Sequence, residues 1–420
     1  MADVITLHPG RLKGTLAVPP SKSIAHRALI CAALAKGESV VSPVDDSDDM
    51  RATTQCMQAL GADISREGKT LRIKGKAHTP AAQPEMDSLE SGSTLRFLIP
   101  LSLVLSEGGR FFTKGRLGDR PLGPYEVAFA KQGITFEKAP GSIRVSGKLA
   151  PGQFELPGDV SSQFVTGLLL SLPLLDGDSE IILTTPPESE GYIDLTIQTM
   201  ADFGVHVRRP SRQWFEIPGG QSYQAGNYQV EGDYSQAAVL LCANALGSGI
   251  ALKGLREDSL QGDRAVMELL TRMGARLIRE GDALSIAGGA LKGIVIDGGA
   301  FPDILPMMAL TCCLAKGESR IENAGRLRLK ECDRLAATVE DLSKLGADIR
   351  AEGDAMVIHG RESLQGGVSV DSHNDHRMAM MLSISALYCR EPIQLTDPGC
   401  VAKSWPGYWE DYISLGGRVK

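Results

Sequence analysis

No uninterrupted apolar run in this chain approaches the ~18 residues that a membrane span requires. The opening stretch "MADVITLHPGRLKG" carries no apolar signal core, so the expectation is a cytoplasmic protein without a membrane partner. The eight cysteines include no C-x-x-C pair and do not read as a disulfide framework. Most of them (Cys31, Cys242, Cys312, Cys313, Cys389) stand in apolar runs, where a free thiol behaves as a small hydrophobe. Phosphate-loop signatures are missing as well. Gly68-Lys69-Thr70 has Asp63 where the first P-loop glycine belongs, and no G-x-G-x-x-G follows a strand, which disfavours a nucleotide-binding or phosphotransfer enzyme. Nor is there an excess of basic charge. A net charge of −7 argues against nucleic acid as a partner. It leaves room for small anions, which need only a local cluster of cations.

What the chain has is length and repetition. At 420 residues it is too long for one ordinary core, and 43% hydrophobic with 23% charged residues is a soluble globular composition. A small-residue turn between a helix and a strand recurs at Gly61, Gly133, Gly204, Gly274, Gly346 and Gly416, at spacings of 72, 71, 70, 72 and 70 residues. Each glycine fits a helix C-terminus, where a left-handed residue ends the helix at little cost. Ahead of each lies an amphipathic helix, such as "ECDRLAATVEDLSKL", and further upstream a helix that is apolar all round. One repeat is therefore a β-α-β-α-β-β unit. Six repeats fall into two groups of three, with a junction in the Gly/Ser/Gln-rich stretch at residues 219 to 235. The opening strand, "VITLHPGRLKGTLAV", has no local partner and could belong to either group.

The apolar helices share polar or charged heads: Lys22/Ser23/Arg27, Ser91/Ser93/Thr94/Arg96, Ser161/Ser162/Gln163, Asp233/Tyr234/Ser235, Asp303, and Asn374/Asp375/His376/Arg377. Singly, each has a plain explanation, since Ser, Asn and Asp are favoured N-caps. The arginines do not fit it. Arg27, Arg96 and Arg377 stand near the start of otherwise uncharged helices, where the helix dipole disfavours a cation by roughly 0.3–1 kcal/mol. An anion at the helix mouth would reverse that balance through charge-assisted hydrogen bonds of about 1.5–3 kcal/mol each. The expected ligand is small and strongly anionic, bearing phosphate and carboxylate. Further cations stand in glycine- and proline-flanked loops: Arg120 in "GRLGDRPLGPYE", Lys330 and Arg334 with Glu331 in "RLKECDRL", and Lys403 in "DPGCVAKSWPGYW". A lone Lys or Arg is usually a solvated surface charge. Here the repeat register argues for more.

These motifs resemble the enolpyruvyl transferase family, in particular its EPSP synthase branch. "PPSKSIAHRALI", "SGSTLRF", "GDRPLGPY", "GDVSSQFVTGLLL", "SEGYIDLT", "PDILPMMA", "RLKECDRL", "NDHRMAM" and "DPGCVAKSWPGY" occur in the family's order over essentially the whole chain. The resemblance implies a two-domain α/β fold, an inside-out α/β barrel of six β-α-β-α-β-β repeats, three per domain. Residues 20–226 would form one domain and residues 1–19 plus 227–420 a discontinuous second, with the active site in the cleft between them. It also implies the reaction: the enolpyruvyl group of phosphoenolpyruvate (PEP) passes to the 5-hydroxyl of shikimate 3-phosphate, releasing phosphate by addition and elimination. That step belongs to the shikimate pathway, which leads to chorismate and the aromatic amino acids. No metal or organic cofactor is implied, and a monomer is expected.

By the same resemblance Lys22, Asp303 and Glu331 are the catalytic residues. Asp303 is the base, and Glu331 is the acid for the methylene carbon with Lys22 as its competitor. A buried carboxylate–lysine pair titrates jointly, so sequence leaves those assignments open. The shikimate 3-phosphate set is Lys22, Ser23, Arg27, Ser161, Ser162, Gln163, Ser189, Tyr192, Asp303 and Lys330. The PEP set is Lys22, Gly92, Arg120, Gln163, Arg334, Arg377 and Lys403. Gly92 is the family's glycine associated with sensitivity to the PEP-competing inhibitor glyphosate, so sensitivity is expected. Two positions depart from the common pattern. Glu90 stands where many members have Asn and should repel PEP unless a cation such as Arg120 pairs with it. Arg326 stands where some members have Asn.

Two rivals remain beside the nucleotide enzymes. UDP-N-acetylglucosamine enolpyruvyl transferase shares fold and chemistry, but carries a cysteine where this chain has Gly115. A repeat protein that only binds anions would not need Asp303 and Glu331 beside its ligand. His373-x-x-His376 has helical spacing for two metal ligands, but no third follows.

Overall fold

The computed structural model describes residues 3–75 and 78–420 of the chain. It divides into two compact units, Pro20–Glu231 and Met1–Pro19 with Gly232–Lys420.

In the Pro20–Glu231 unit, three apolar helices, Lys22–Leu34, Gly92–Leu105 and Ser162–Ser171, are buried on nearly every side. Three four-stranded sheets surround them. The second repeat shows the plan: Glu85–Asp87 runs parallel to Gly108–Phe112, which pairs antiparallel with Ser142–Ser146, and that strand with Thr135–Ala139. The parallel pair requires a crossover, and the buried helix supplies it. With sheets outside and apolar rods inside, helices such as "ALICAA" need no polar face. The second unit repeats the plan around Tyr234–Ala245, Leu305–Cys313 and His376–Leu387, except that its last sheet has three strands.

The repeat glycines do what their spacing suggests. All six have positive φ, between 71° and 104°. At Gly61 the N–H bonds the Gln58 carbonyl (3.0 Å) and the Ala62 N–H reaches back to Met57 (3.0 Å), which closes helix Asp48–Ala59 in a Schellman motif.

The opening segment differs from expectation. It is two strands, Val4–Leu7 and Lys13–Ala17, with Pro9 and Gly10 in the break between them. Both join the Gly232–Lys420 unit: Val4–Leu7 lies antiparallel to Ile393–Thr396, and Lys13–Ala17 parallel to Gly249–Lys253. In return Asn227–Gln229, just ahead of helix Tyr234–Ala245, pairs with Gly37–Ser42 of the first repeat. Residues 227–231, expected in the second unit, therefore belong with the first. Each crossing strand thus completes a sheet on the side it leaves, and no local sequence signal records that exchange.

Helix starts also separate caps from other polar heads. Ser21, Ser91, Ser161, Asp233 and Asp375 are N-caps whose side chains accept a backbone N–H of the first turn. Asp303 is not. Helix Leu305–Cys313 starts two residues later behind Ile304, without a side-chain cap, and Pro306 in its first turn has no N–H to satisfy.

Candidate active site

The Pro20–Glu231 unit gathers its candidates at the starts of its buried helices. Lys22 opens the first helix, and its Nζ lies 2.6 Å from Asp49 Oδ2 at the start of helix Asp48–Ala59. One turn further on both helices, His26 Nδ1 lies 2.7 Å from Thr53 Oγ1. Arg27 is 3% exposed. Its Nε donates to Thr196 Oγ1 (2.8 Å), Nη1 to the Ser23 carbonyl (2.7 Å), and Nη2 to the Tyr192 carbonyl (3.0 Å) and Thr166 Oγ1 (3.4 Å). Its guanidinium carbon stands 5.2 Å from the centre of the Phe97 ring. Every one of these partners is neutral. Burial pulls the Arg27 pKa down to about 10, so the group remains a cation at neutral pH. A charge held out of water without a carboxylate partner costs stability, and that cost is recovered when an anion arrives.

The serines at the helix heads of this unit are of two kinds. Ser161 spends its oxygen on the Gln163 N–H (3.3 Å) as a cap. Ser23 and Ser162 make no side-chain hydrogen bond to another described residue, which leaves both for a ligand. Ser189 stands in the left-handed region (φ 55°) directly ahead of helix Glu190–Asp202, whose first turn contains Tyr192. Gln163 bridges the second helix head, accepting from Arg96 Nη1 (2.7 Å) and donating to Ser93 Oγ (3.1 Å). Gly92 sits beneath two guanidinium groups: a Cβ built there would stand 2.7 Å from Arg120 Nη1 and 3.1 Å from Arg96 Nη1. Glu90 folds over Gly115, whose φ is 52°; a side chain at 115 would run into the Glu90 carboxylate.

The second unit gathers the remaining candidates around Arg334, which is 1% exposed. Its Nε and Nη2 grip Asp375 at 2.7 and 3.2 Å, Nη1 lies 2.8 Å from Asp303 Oδ1, and Nη2 2.8 Å from Glu331 Oε2. Lys330 Nζ adds a second cation 3.0 Å from the same Asp303 oxygen. Burial works to raise the Asp303 carboxyl, but Lys330, Arg334 and Arg377 outweigh it and hold the group well below the usual carboxylate range. Burial in turn lowers Lys330. Lys403 Nζ stands 4.0 Å from Glu331 Oε1, and Arg377 Nη1 bonds Gln236 Oε1 at 3.3 Å. Arg334 is thus largely consumed by three carboxylates, and Arg377 and Lys403 are further buried cations of the same unit. Beside them, Ser235 donates to Asp263, whose carboxyl burial and the nearby Asp303 push up to about 6.

The candidates therefore divide between the units: Lys22, Ser23, Arg27, Gly92, Arg120, Ser161, Ser162, Gln163, Ser189 and Tyr192 lie in one, Asp303, Lys330, Glu331, Arg334, Arg377 and Lys403 in the other. The EPSP synthase (3-phosphoshikimate 1-carboxyvinyltransferase) family model matches residues 7–412 of the chain.

The chain belongs to the EPSP synthase family.

A 3-phosphoshikimate 1-carboxyvinyltransferase of Clostridium beijerinckii is 47% identical over 98% of this chain and 97% of that protein. One from Clostridioides difficile is 46% identical over 99% and 98%. Among solved structures, an EPSP synthase from Acinetobacter baumannii superposes with a TM-score of 0.82 at 25% identity, covering 99% of both chains. The enolpyruvyl transferase NikO from Streptomyces tendae gives 0.81 at 18% identity over 99% and 98%, and shares the fold. The enolpyruvyl transferase fold expected from the sequence is thereby established for this chain. The UDP-N-acetylglucosamine branch is disfavoured, and the packing of Glu90 on Gly115 gives a local reason: the position is closed to a cysteine side chain unless Glu90 moves.

Sequence reasoning missed Asp49, which reads there as an ordinary acidic residue in a helix first turn. It also gave Asp375 no role beyond a helix head, although that carboxylate is the bidentate partner of Arg334. The two histidines do not share a helix turn. His373 (φ 52°) lies before helix His376–Leu387 and places Nε2 2.9 Å from Asp341 Oδ2. Among the described residues no group of three potential metal ligands occurs, and no helix is long and apolar enough to cross a membrane.

Proposed function

We propose that this chain transfers the enolpyruvyl group of PEP to the 5-hydroxyl of shikimate 3-phosphate, in the shikimate pathway. The observation that carries the reading is Arg27: a buried cation among neutral partners, at the head of an apolar helix, in a chain of the EPSP synthase family. With it, Ser23 and Ser162 offer hydroxyls for the phosphate, and Ser161, Ser189, Gln163 and Tyr192 complete the set in this reading.

The chemistry divides into addition and elimination. The 5-hydroxyl oxygen bonds to C2 of PEP and gives up its proton, while a proton is added to the methylene carbon to make a methyl group. Phosphate then leaves with its bridging oxygen and the methyl group returns one proton, restoring the double bond. Asp303 orients the shikimate hydroxyls. Held ionised by Lys330, Arg334 and Arg377, it is a weak base on its own and takes the proton only as that charge cluster rearranges around bound substrate. Glu331 supplies the proton for the methylene carbon, with Lys22 as the competing donor. Arg120, Arg377 and Lys403 hold the phosphate and carboxylate of PEP, with Gly92 giving Arg120 its room. Arg334 positions the carboxylates, since four of its contacts already go to Asp303, Glu331 and Asp375. These preset charges favour the anionic tetrahedral adduct over either ground state.

In this reading the two sets serve one substrate pair. Scattering should then report a smaller radius with both ligands bound, and an unchanged radius would count against it. Phosphate release with shikimate 3-phosphate and PEP tests the activity itself. A folded wild type that releases none would refute the reading, and Lys22→Ala and Asp303→Ala are expected to fall by at least about a hundredfold, within the range for general acid–base groups.

A further inference from the structure

The side chains of Lys22 and His26 lie one helix turn apart, as do those of Asp49 and Thr53, so two rungs join the helices Lys22–Leu34 and Asp48–Ala59: an ion pair at the mouth and a hydrogen bond behind it. The second rung does not end at Thr53. Thr53 Oγ1 is 2.6 Å from Thr94 Oγ1, and Thr94 Oγ1 is 2.8 Å from Ser91 Oγ, the cap of helix Gly92–Leu105. All four side chains are buried.

The protons in this chain can be assigned. His26 Nε2 is buried and has no hydrogen-bond partner among the described residues. An orphaned ring N–H there would be costlier than an orphaned lone pair, so the proton sits on Nδ1 and is donated to Thr53. Thr53 then donates to Thr94, and Thr94 to Ser91, whose oxygen also takes the Thr94 backbone N–H at 3.2 Å. Burial keeps the ring neutral, pulling its pKa down to about 3. Stability does not explain such a chain. Replacing buried hydrogen-bonded pairs by apolar groups of the same shape is often close to neutral, and valine would fill either threonine site. What the chain does is tie two helix heads together. Thr53 Oγ1 also lies 3.2 Å from the Asp49 carbonyl and shares its single proton between that oxygen and Thr94, so one hydroxyl touches the element that holds Lys22 and the element that carries Gly92 under Arg120.

We propose that Thr53 is a positioning residue, fixing the Lys22–Asp49 pair against the Ser91–Gly92 helix head through its contacts to His26 and Thr94. The inference rests on the proposed reaction. Without this link the helix that bears Lys22 and the Gly92 helix head, over which the Arg120 guanidinium lies, are set separately, and the two cations no longer hold their spacing for one PEP molecule.

The test is steady-state kinetics of full-length Thr53→Val and Thr53→Ser beside wild type, with thermal unfolding of each. Thr53→Val should raise KM for PEP about tenfold with kcat within about threefold, a loss of binding geometry rather than of chemistry. Thr53→Ser, which keeps the hydroxyl, should restore wild-type values. Thr94→Val breaks the same chain from the other side and carries the test if Thr53→Val does not fold. A folded valine variant with both constants within about twofold of wild type overturns the proposal, as does a serine variant as impaired as valine. A silent wild type overturns the reaction itself and the inference with it, which is a different result from active variants that match wild type.

Discussion

Arg334 and Asp375 form a doubly hydrogen-bonded pair, Nε–Oδ2 2.7 Å and Nη2–Oδ1 3.2 Å, at exposures of 1% and 0%. The same aspartate caps helix His376–Leu387 by accepting the Arg377 N–H at 2.8 Å. One carboxylate thus fixes both the arginine that organises Asp303 and Glu331 and the helix that bears Arg377. Removing one partner of a buried pair typically costs about 3–5 kcal/mol, because the other charge stays behind. Asp375→Ala should therefore lower unfolding free energy by about that much in a denaturant titration. A loss below about 1 kcal/mol, the value of a cap alone, would show that Asp303 and Glu331 suffice for Arg334.

Arg27 should behave in the opposite way. Its partners are neutral, so Arg27→Met removes a desolvated charge without stranding another. The expected result is a melting temperature close to wild type, together with a loss of shikimate 3-phosphate affinity worth about 2–3 kcal/mol, or roughly 30- to 150-fold by calorimetry. A large drop in melting temperature with affinity preserved would make Arg27 a structural residue.

Gly92 faces Arg120 and Arg96 where a methyl group would sit 2.7 and 3.1 Å from their Nη1 atoms. Gly92→Ala must push at least one guanidinium aside. KM for PEP should rise by about tenfold, roughly 1.4 kcal/mol of lost binding, with the affinity for shikimate 3-phosphate little changed. Equal losses for both substrates would mean that the whole helix head had moved.

Two histidines give opposite pH signatures. Burial lowers His26 to about 3, against 6.5 in the unfolded chain. The unfolded state therefore binds the extra proton first, and stability present above pH 6.5 is lost as the pH falls toward 3, by up to ~4 kcal/mol. The hydrogen bond to Asp341 raises His373 despite partial burial. Its contribution is complete below the unfolded value and disappears as the pH rises through the folded one. His26→Gln should flatten the acid limb of a stability–pH curve, and His373→Gln the loss of stability that sets in as the pH rises past the ordinary imidazole value of 6.5. Unchanged limbs would contradict the assignments.

The repeat was legible because a Schellman glycine has one conformational job and recurred at nearly constant spacing. The apolar helices were legible because rods enclosed by sheets carry no polar face. The residue pattern alone did not place the crossing strands, which pair far away in the sequence: the resemblance assigned residues 1–19 to the second unit, but it also put Asn227–Gln229 there, which pairs in the first. In the site, cations at helix heads stood out against the dipole, whereas Asp49 and Asp375 looked like ordinary helix-start acids. Asp303 stood among the polar helix heads, yet it caps nothing: Lys330 and Arg334 claim its carboxylate, and the helix begins without it. A carboxylate paired across 27 or 31 residues leaves no local trace.

The proposed chemistry breaks the C–O bond of PEP, not the P–O bond, and an isotope reads that choice directly. PEP carrying oxygen-18 in its bridging position is incubated with shikimate 3-phosphate and the enzyme, and the products are analysed by mass spectrometry. Enolpyruvyl transfer places the label in inorganic phosphate. Label found in pyruvate would mean phosphoryl transfer and would contradict the account.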